Sequence, residues 1–372
     1  MPSLRVDSPR LQSLDAFRGL TVAGMLLVNN PGSWEHIYPP LEHAGWNGWT
    51  PTDLVFPFFL FIVGTSMAFS LGRRLEQGTR ARQLIPRIIW RGFLIILLGL
   101  YLNAVPHFRW EALRFPGVLQ RIGAVYLVAS VIFTLTGPVA EGLIAALLLV
   151  GYWLAMTRVA LPGLPAGSLG MDANLAQYVD NRLFAGHMWR ETWDPEGLLS
   201  TIPAVATCLL GGLAGRWLRT ERPPGEKASG LFVAGIGGVL LGLLWNHWFP
   251  INKNLWTSSY VLFTAGLALQ ALGACYAIIE IWNIRRWAWP FLVLGTNALA
   301  AFALSGIWAR FLIYWRVGAG EGRDTLQEWI YQQWFASWAG DLNGSLAFAI
   351  ATVLLFVVLL AVPYRKGWYL RF

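Results

Sequence analysis

The sequence predicts an all-α, polytopic membrane bundle of about ten transmembrane helices, with both termini on the cytoplasmic side. Three observations predict it. Of 372 residues, 56% are hydrophobic and only 13% charged, against about 25% charged in soluble domains. Apolar runs recur along the whole chain, each near the ~20 residues that a bilayer requires. Lys and Arg gather on one side: the loops joining even to odd spans, with both termini, carry twice as many as the opposite loops, which are more than twice as long. This positive-inside pattern supports both the count and the orientation. It also accounts for the net charge of +8, which in a soluble protein would suggest nucleic acid. Here the expected surroundings are a lipid bilayer, and no nucleic-acid partner is expected.

The first span, 12–32, follows a polar start without a cleavable leader. It carries Asp15 and Arg18, three apart on one helical face where they can pair, and Asn29 at its outer end. A short outward loop then holds His43, Ala44, Trp46, Asn47, Trp49 and Asp53 before the apolar second span, 52–72. The third span, 84–103, contains Arg91, whose long stem lets it reach the inner surface. The fourth, 117–136, opens with Gln120 and Arg121 on the outer side, and the fifth is 139–158. The outward segment 159–197 is too polar to span. It ends in Asp194-Pro195-Glu196-Gly197, read as a helix start with Asp194 as cap for the sixth span, 198–217.

The seventh (229–248) and eighth (257–281) spans are joined by an outward loop, Asn252-Lys253-Asn254-Leu255-Trp256, which collects amides, an ammonium and an indole. The ninth, 288–312, embeds Asn297. A second long outward segment, 313–344, precedes the tenth span, 345–363. With no repeat visible, residues 1–372 read as a single transmembrane domain. Cys208 and Cys275 sit inside apolar runs and read as core residues.

Ionisable groups in or beside a span are functional candidates by default. The loop before the second span packs an imidazole, an amide and a carboxylate at a membrane mouth where water is partly excluded. Asp53, ten residues after His43, can orient the ring, and Asn29 can offer an amide donor to a developing oxyanion. Trp46, Asn47, Arg121, Asn252, Lys253, Asn254, Trp256 and Asn297 are groups that suit a polyhydroxylated ligand. No metal-ligand spacing, P-loop or glycine-rich nucleotide fingerprint is present. Ordinary nucleotide-binding folds are therefore excluded, and no metal is expected.

Several motifs stand in one order along the chain: S-L-D-A-F-R-G-L (13–20), V-N (28–29), H-A-G-W-N-G-W-T-P-T-D-L-V-F-P-F-F-L-F-I-V-G (43–64), P-G-V-L-Q-R-I-G (116–123), D-P-E-G-L-L-S-T-I (194–202), I-N-K-N-L-W-T-S-S-Y-V (251–261) and G-T-N-A-L (295–299). In these the chain resembles the heparan-α-glucosaminide N-acetyltransferase family of transmembrane enzymes. The resemblance implies acetyl-CoA as co-substrate and an amino sugar, or its oligosaccharide, as acceptor on the periplasmic side of a bacterial inner membrane. It implies His43 as the catalytic histidine with Asn29 as its partner, and a homodimer as the assembly. Arg18, Asp15 and Arg91 become candidates for the coenzyme by charge and sidedness. Direct transfer and an acetyl-histidine intermediate both remain open. Two other readings compete. A polysaccharide O-acyltransferase would place a histidine where this chain has Asn29. An amino-sugar transporter would be expected to show an inverted repeat or broken helices in pairs.

Overall fold

A computed structural model describes residues 11–317 and 324–368. Both termini, expected on the cytoplasmic side, and residues 318–323 of the expected outward segment 313–344 lie outside the described residues. The regular structure of the described chain is helical apart from two minimal hairpins. That is what an apolar solvent demands, because a helix satisfies its backbone hydrogen bonds within one segment.

In chain order the helices are α1 (Gln12–Asn29), α2 (Val55–Met67), α3 (Arg73–Glu76), α4 (Ala81–Ala104), α5 (Val118–Leu135), α6 (Pro138–Arg158), α7 (Leu175–Phe184), α8 (Thr201–Leu218), α9 (Pro224–Trp245), α10 (Ser258–Tyr276), α11 (Trp289–Thr296), α12 (Ala298–Tyr314), α13 (Leu326–Tyr331), α14 (Ser337–Ala339) and α15 (Asp341–Arg365). A π-helical turn, Ala68–Gly72, joins α2 directly to α3. The outward segments are not bare loops. The first holds β1 (Leu169–Gly170) paired antiparallel with β2 (Ala173–Asn174), then α7, capped by the Asn174 side chain accepting from Gln177 N at 2.8 Å. The second holds β3 (Arg316–Val317) paired with β4 (Asp324–Thr325), then α13, capped by Thr325.

Among the described residues eight helices are long and apolar enough to cross a membrane. The ten expected spans map onto these eight and two further elements, α1 and the pair α11 and α12. α1 covers the first expected span but is not one of the eight, since Gln12, Ser13, Asp15, Arg18 and Thr21 interrupt its apolar run. The ninth expected span, 288–312, is not one straight helix: α11 and α12 meet at a 73° bend, and counting that pair as one span gives nine. The break lies at Asn297, whose φ of −124° and ψ of 39° leave the helical region. Just before it, the Thr296 hydroxyl turns back to the Leu292 and Val293 carbonyls, the local competition that bends helices in apolar surroundings.

The chain divides into two compact units. The larger comprises Pro39–Arg222 and Leu231–Leu269. Its core joins Phe56, Leu60 and Met67 of α2 with Ala129 and Phe133 of α5, Ala204 and Cys208 of α8 and Tyr260 of α10. The closest crossing is α2 on α8. A Cβ on Gly64 would stand 1.8 Å from the Cys208 carbonyl oxygen, and one on Gly211 would stand 2.0 Å from that of Phe61. Without water to drive helices together in lipid, such small residues let backbones approach and gain dispersion contact.

The smaller unit comprises the chain up to Tyr38, Pro223–Gly230 and the chain from Gln270 onward. Here α1 packs on α11 in the same manner, with Gly295 against the Asp15 carbonyl. Asp15 and Arg18 do pair, at 2.7 Å, and Arg18 Nη1 also reaches the Gly295 carbonyl at 3.3 Å.

Candidate active site

His43 stands on a loop without regular structure, and a helix start ten residues on places it. Thr50-Pro51-Thr52-Asp53 forms a capping box at the 3-10 turn Pro51–Leu54 that leads into α2, with Pro51 at the first position, where its missing N–H costs nothing. Asp53 Oδ2 accepts from the Thr50 and Ala44 backbone N–H groups, both at 3.0 Å, and from the Thr50 hydroxyl at 3.3 Å. Its other oxygen, Oδ1, accepts from His43 Nδ1 at 2.7 Å. The Tyr260 hydroxyl donates to the Asp53 carbonyl from below. A carboxylate has no proton to give, so the hydrogen sits on Nδ1 and Nε2 keeps its lone pair. Asp53 is 1% exposed and the His43 side chain 52%. The carboxylate is locked, and the ring is half exposed.

The loop between α9 and α10 brings the second charge. Asn252 is buried and ties the loop together: its N–H donates to Thr257 Oγ1 at 3.0 Å, its Oδ1 accepts from Leu255 N at 2.8 Å, and its Nδ2 donates to Asn47 Oδ1 at 3.1 Å. The Gly48 N–H adds a bond to the Ile251 carbonyl at 2.8 Å. So fixed, the loop holds Lys253 Nζ 3.0 Å from His43 Nδ1, 3.1 Å from Nε2 and 3.6 Å from Asp53 Oδ1. Near-equal distances to both ring nitrogens put the ammonium over the face of the ring, and a turn of the lysine end would bring it in line with Nε2. Burial, only partly offset by the Asp53 and Glu196 carboxylates, holds the Lys253 pKa below the ordinary lysine value.

A further charged group lies where the chain enters α8. Arg114 clasps Asp194 with two bonds, Nε to Oδ2 at 2.8 Å and Nη2 to Oδ1 at 2.6 Å, and also reaches Glu196. Burial works against the charge on Arg114, yet the two carboxylates overcome it and hold its pKa above the ordinary arginine value. Asp194 is therefore not the cap of the sixth span, as the sequence suggests. That helix begins at Thr201, and Asp194 is occupied by Arg114 and the Trp189 and Glu196 N–H groups. Nearby, Asp180 of α7 is 1% exposed and accepts from Leu198 N at 2.8 Å; burial pushes its pKa up to about 6.

The other sequence-derived candidates divide by location. Trp46 donates its indole N–H to the Leu169 carbonyl and meets Trp193 edge-on, with ring centres 5.6 Å apart. Arg121 and Trp256 are buried together beneath the loop. The guanidinium lies 5.0 Å from the indole ring and bonds the Gly197 carbonyl and Ser200, while the indole N–H reaches Thr207 Oγ1 at 3.1 Å. Trp256 adopts a positive φ of 52° to fit there. Asn254 is half-buried beside Lys253. Arg91 is exposed, with its guanidinium 5.0 Å from the centre of the Tyr126 ring. Asp15, Arg18, Asn29 and Asn297 belong to the smaller unit. There Asn29 is exposed at the end of α1, and Asn297 donates to the Trp368 carbonyl at 3.3 Å.

Sequence reasoning missed the roles of Thr50, Arg114, Glu196, Asp180 and Tyr260. Thr50-x-x-Asp53 before an apolar run is a capping-box signature and was there to be found. The Arg114–Asp194 clasp spans eighty residues and leaves no local signal.

The comparisons with known proteins agree with these motifs. A family model described as heparan-alpha-glucosaminide N-acetyltransferase, catalytic, matches residues 10–237. Human heparan-alpha-glucosaminide N-acetyltransferase is 30% identical over 350 residues, covering 79% of this chain and 52% of the human protein. The mouse protein of that name is 31% identical over 354 residues, covering 80% of this chain and 53% of its own. One component of an ion-translocating oxidoreductase complex from Stutzerimonas stutzeri is 26% identical over 258 residues, 65% of this chain and 67% of that component. The chain spans about half the length of the two mammalian relatives.

Proposed function

Because the chain belongs to the heparan-alpha-glucosaminide N-acetyltransferase family, we propose that it moves the acetyl group of cytoplasmic acetyl-CoA to the amine of a glucosamine-type sugar on the far side of a bacterial inner membrane. The observation that carries this reading is the His43–Asp53 pair, held at 2.7 Å with the imidazole side chain 52% exposed. As the sugar nitrogen attacks the thioester carbonyl, Nε2 removes its proton, and the fixed Asp53 carboxylate stabilises the imidazolium that forms. By the family resemblance, Asn29 is the candidate donor to the oxyanion of the tetrahedral intermediate. The orientation rests on the basic loops: the cluster at Arg73, Arg74, Arg80, Arg82 and Arg87 marks the cytoplasmic face. By charge and sidedness, Arg18, paired with Asp15, and Arg91 are the candidates for contact with the coenzyme phosphates. Trp46, Asn47 and Asn254 line the sugar side.

The test is acetyl transfer in proteoliposomes, with radiolabelled acetyl-CoA on one side and glucosamine on the other. N-acetylated product is expected, absent with His43→Ala and strongly reduced with Asn29→Ala. O-acetylated product, or uptake of unmodified sugar by the His43→Ala protein, would defeat the proposal.

A further inference from the structure

We propose that Lys253 is a second catalytic group of this site: the acid that protonates the departing thiolate and then recovers its proton from His43. The inference rests on the acetyl-transfer reading above and adds a residue to it. Three features carry it. Lys253 Nζ lies 3.1 Å from His43 Nε2, within hydrogen-bond range of the nitrogen that keeps its lone pair. It is fixed there by a loop whose Asn252 is wholly buried and bonded on three sides, so the approach belongs to the fold and not to a wandering surface lysine. And it sits among groups that make its proton mobile: Asp53 at 3.6 Å and the Glu196 carboxylate favour the ammonium, while burial and the Arg121 guanidinium disfavour it. A free surface lysine holds its proton too firmly to trade with an imidazole; this one is closer to balance.

The steps balance. The amine nitrogen forms a bond to the acetyl carbonyl carbon, and His43 Nε2 takes the proton that nitrogen loses. The carbon–sulfur bond breaks, and its electron pair leaves on sulfur, which takes a proton from Lys253 Nζ. The site then holds a protonated imidazole and a neutral amine 3.1 Å apart. Transfer of one proton from Nε2 to Nζ restores both residues. The products are the acetamido sugar and the free thiol, with no further reactant.

The experiment compares wild type, K253M and K253R in detergent or proteoliposomes with two acetyl donors. One is acetyl-CoA; the other is para-nitrophenyl thioacetate, whose thiolate leaves without a proton. Arginine keeps the cation but cannot release a proton. With acetyl-CoA, both variants are expected to lose about 100-fold in kcat, the usual scale for removing an acid–base group. With the aryl thioester both are expected to stay within about threefold of wild type, since no acid is needed. Wild-type rates by K253R on acetyl-CoA would reduce Lys253 to a fixed charge and overturn the proposal. So would equal losses on both donors, or aggregation of both variants on size exclusion, which would assign Lys253 to binding or to the fold. Failure of wild type to acetylate any amino sugar would instead defeat the parent reading.

Discussion

Asp53 Oδ1 and His43 Nδ1 meet at 2.7 Å because one carboxylate does two tasks: with its other oxygen Asp53 closes the start of a membrane helix, and with this one it orients a ring. The cap makes the geometry of this pair a by-product of helix formation. Four bonds converge on the side chain of a residue that is 1% exposed, so the pair cannot be loosened without disturbing the beginning of α2.

Asp53→Asn tests the orienting half of that task. An amide nitrogen facing Nδ1 would move the ring hydrogen to Nε2 and remove the lone pair that accepts the substrate proton. Acetyl transfer is expected to fall about 100-fold or more in kcat, with KM for the sugar little changed. Steady-state kinetics on the purified variant check this; a KM effect alone would place Asp53 in sugar binding.

Arg114→Ala leaves Asp194 buried without its two-bonded partner. Removing one member of a buried pair costs about 3–5 kcal/mol. A clearly lowered unfolding temperature in detergent is expected, larger than for Arg91→Ala, whose guanidinium is exposed. Equal melting of the two variants would show that the clasp contributes nothing to stability.

Asp180 gives a pH dependence. Its folded pKa, about 6, lies above its ordinary value of 3.8, so the folded state resists ionisation. The cost is absent below pH 3.8, grows as pH rises through the window to about 6, and is complete above it. Asp180→Asn, which keeps an acceptor for Leu198 N, is expected to stabilise the protein at pH 7.5 by up to about 3 kcal/mol. The gain should shrink as the pH is lowered through that window. Melting curves at pH 7.5 and 4.5 read the difference; a pH-independent gain would contradict the burial account.

Gly64→Val tests the α2–α8 crossing. Even the first side-chain carbon would stand 1.8 Å from the Cys208 carbonyl, and backbone cannot yield as a flexible side chain would. Loss of the monodisperse, folded protein in detergent is expected. Gly137→Ala, where an added Cβ meets nothing within 4 Å, is the matched control and should behave as wild type.

The sequence alone was enough for the membrane character, the approximate helix positions and the pairing of His43 with Asp53. These depend on local signals: an apolar run declares a span through its own length, and an imidazole ten residues before a helix-starting carboxylate is visible in one window. The same reasoning drew 288–312 as one straight span, because hydropathy counts composition and cannot see Asn297 leave the helix. It also gave Asp194 to a cap, since a cap is the commonest local use of Asp before Pro.

What tertiary structure decided was partnership. Arg114 is the partner of Asp194, Tyr260 supports the Asp53 carbonyl, and Lys253 comes to His43 across 210 positions of sequence. No periodicity encodes such pairs, because they form where separately stable helices bring their loops together. The sequence determined which charges stand at the ends of the helices; only packing decided which of them neutralise each other there and which stand beside His43.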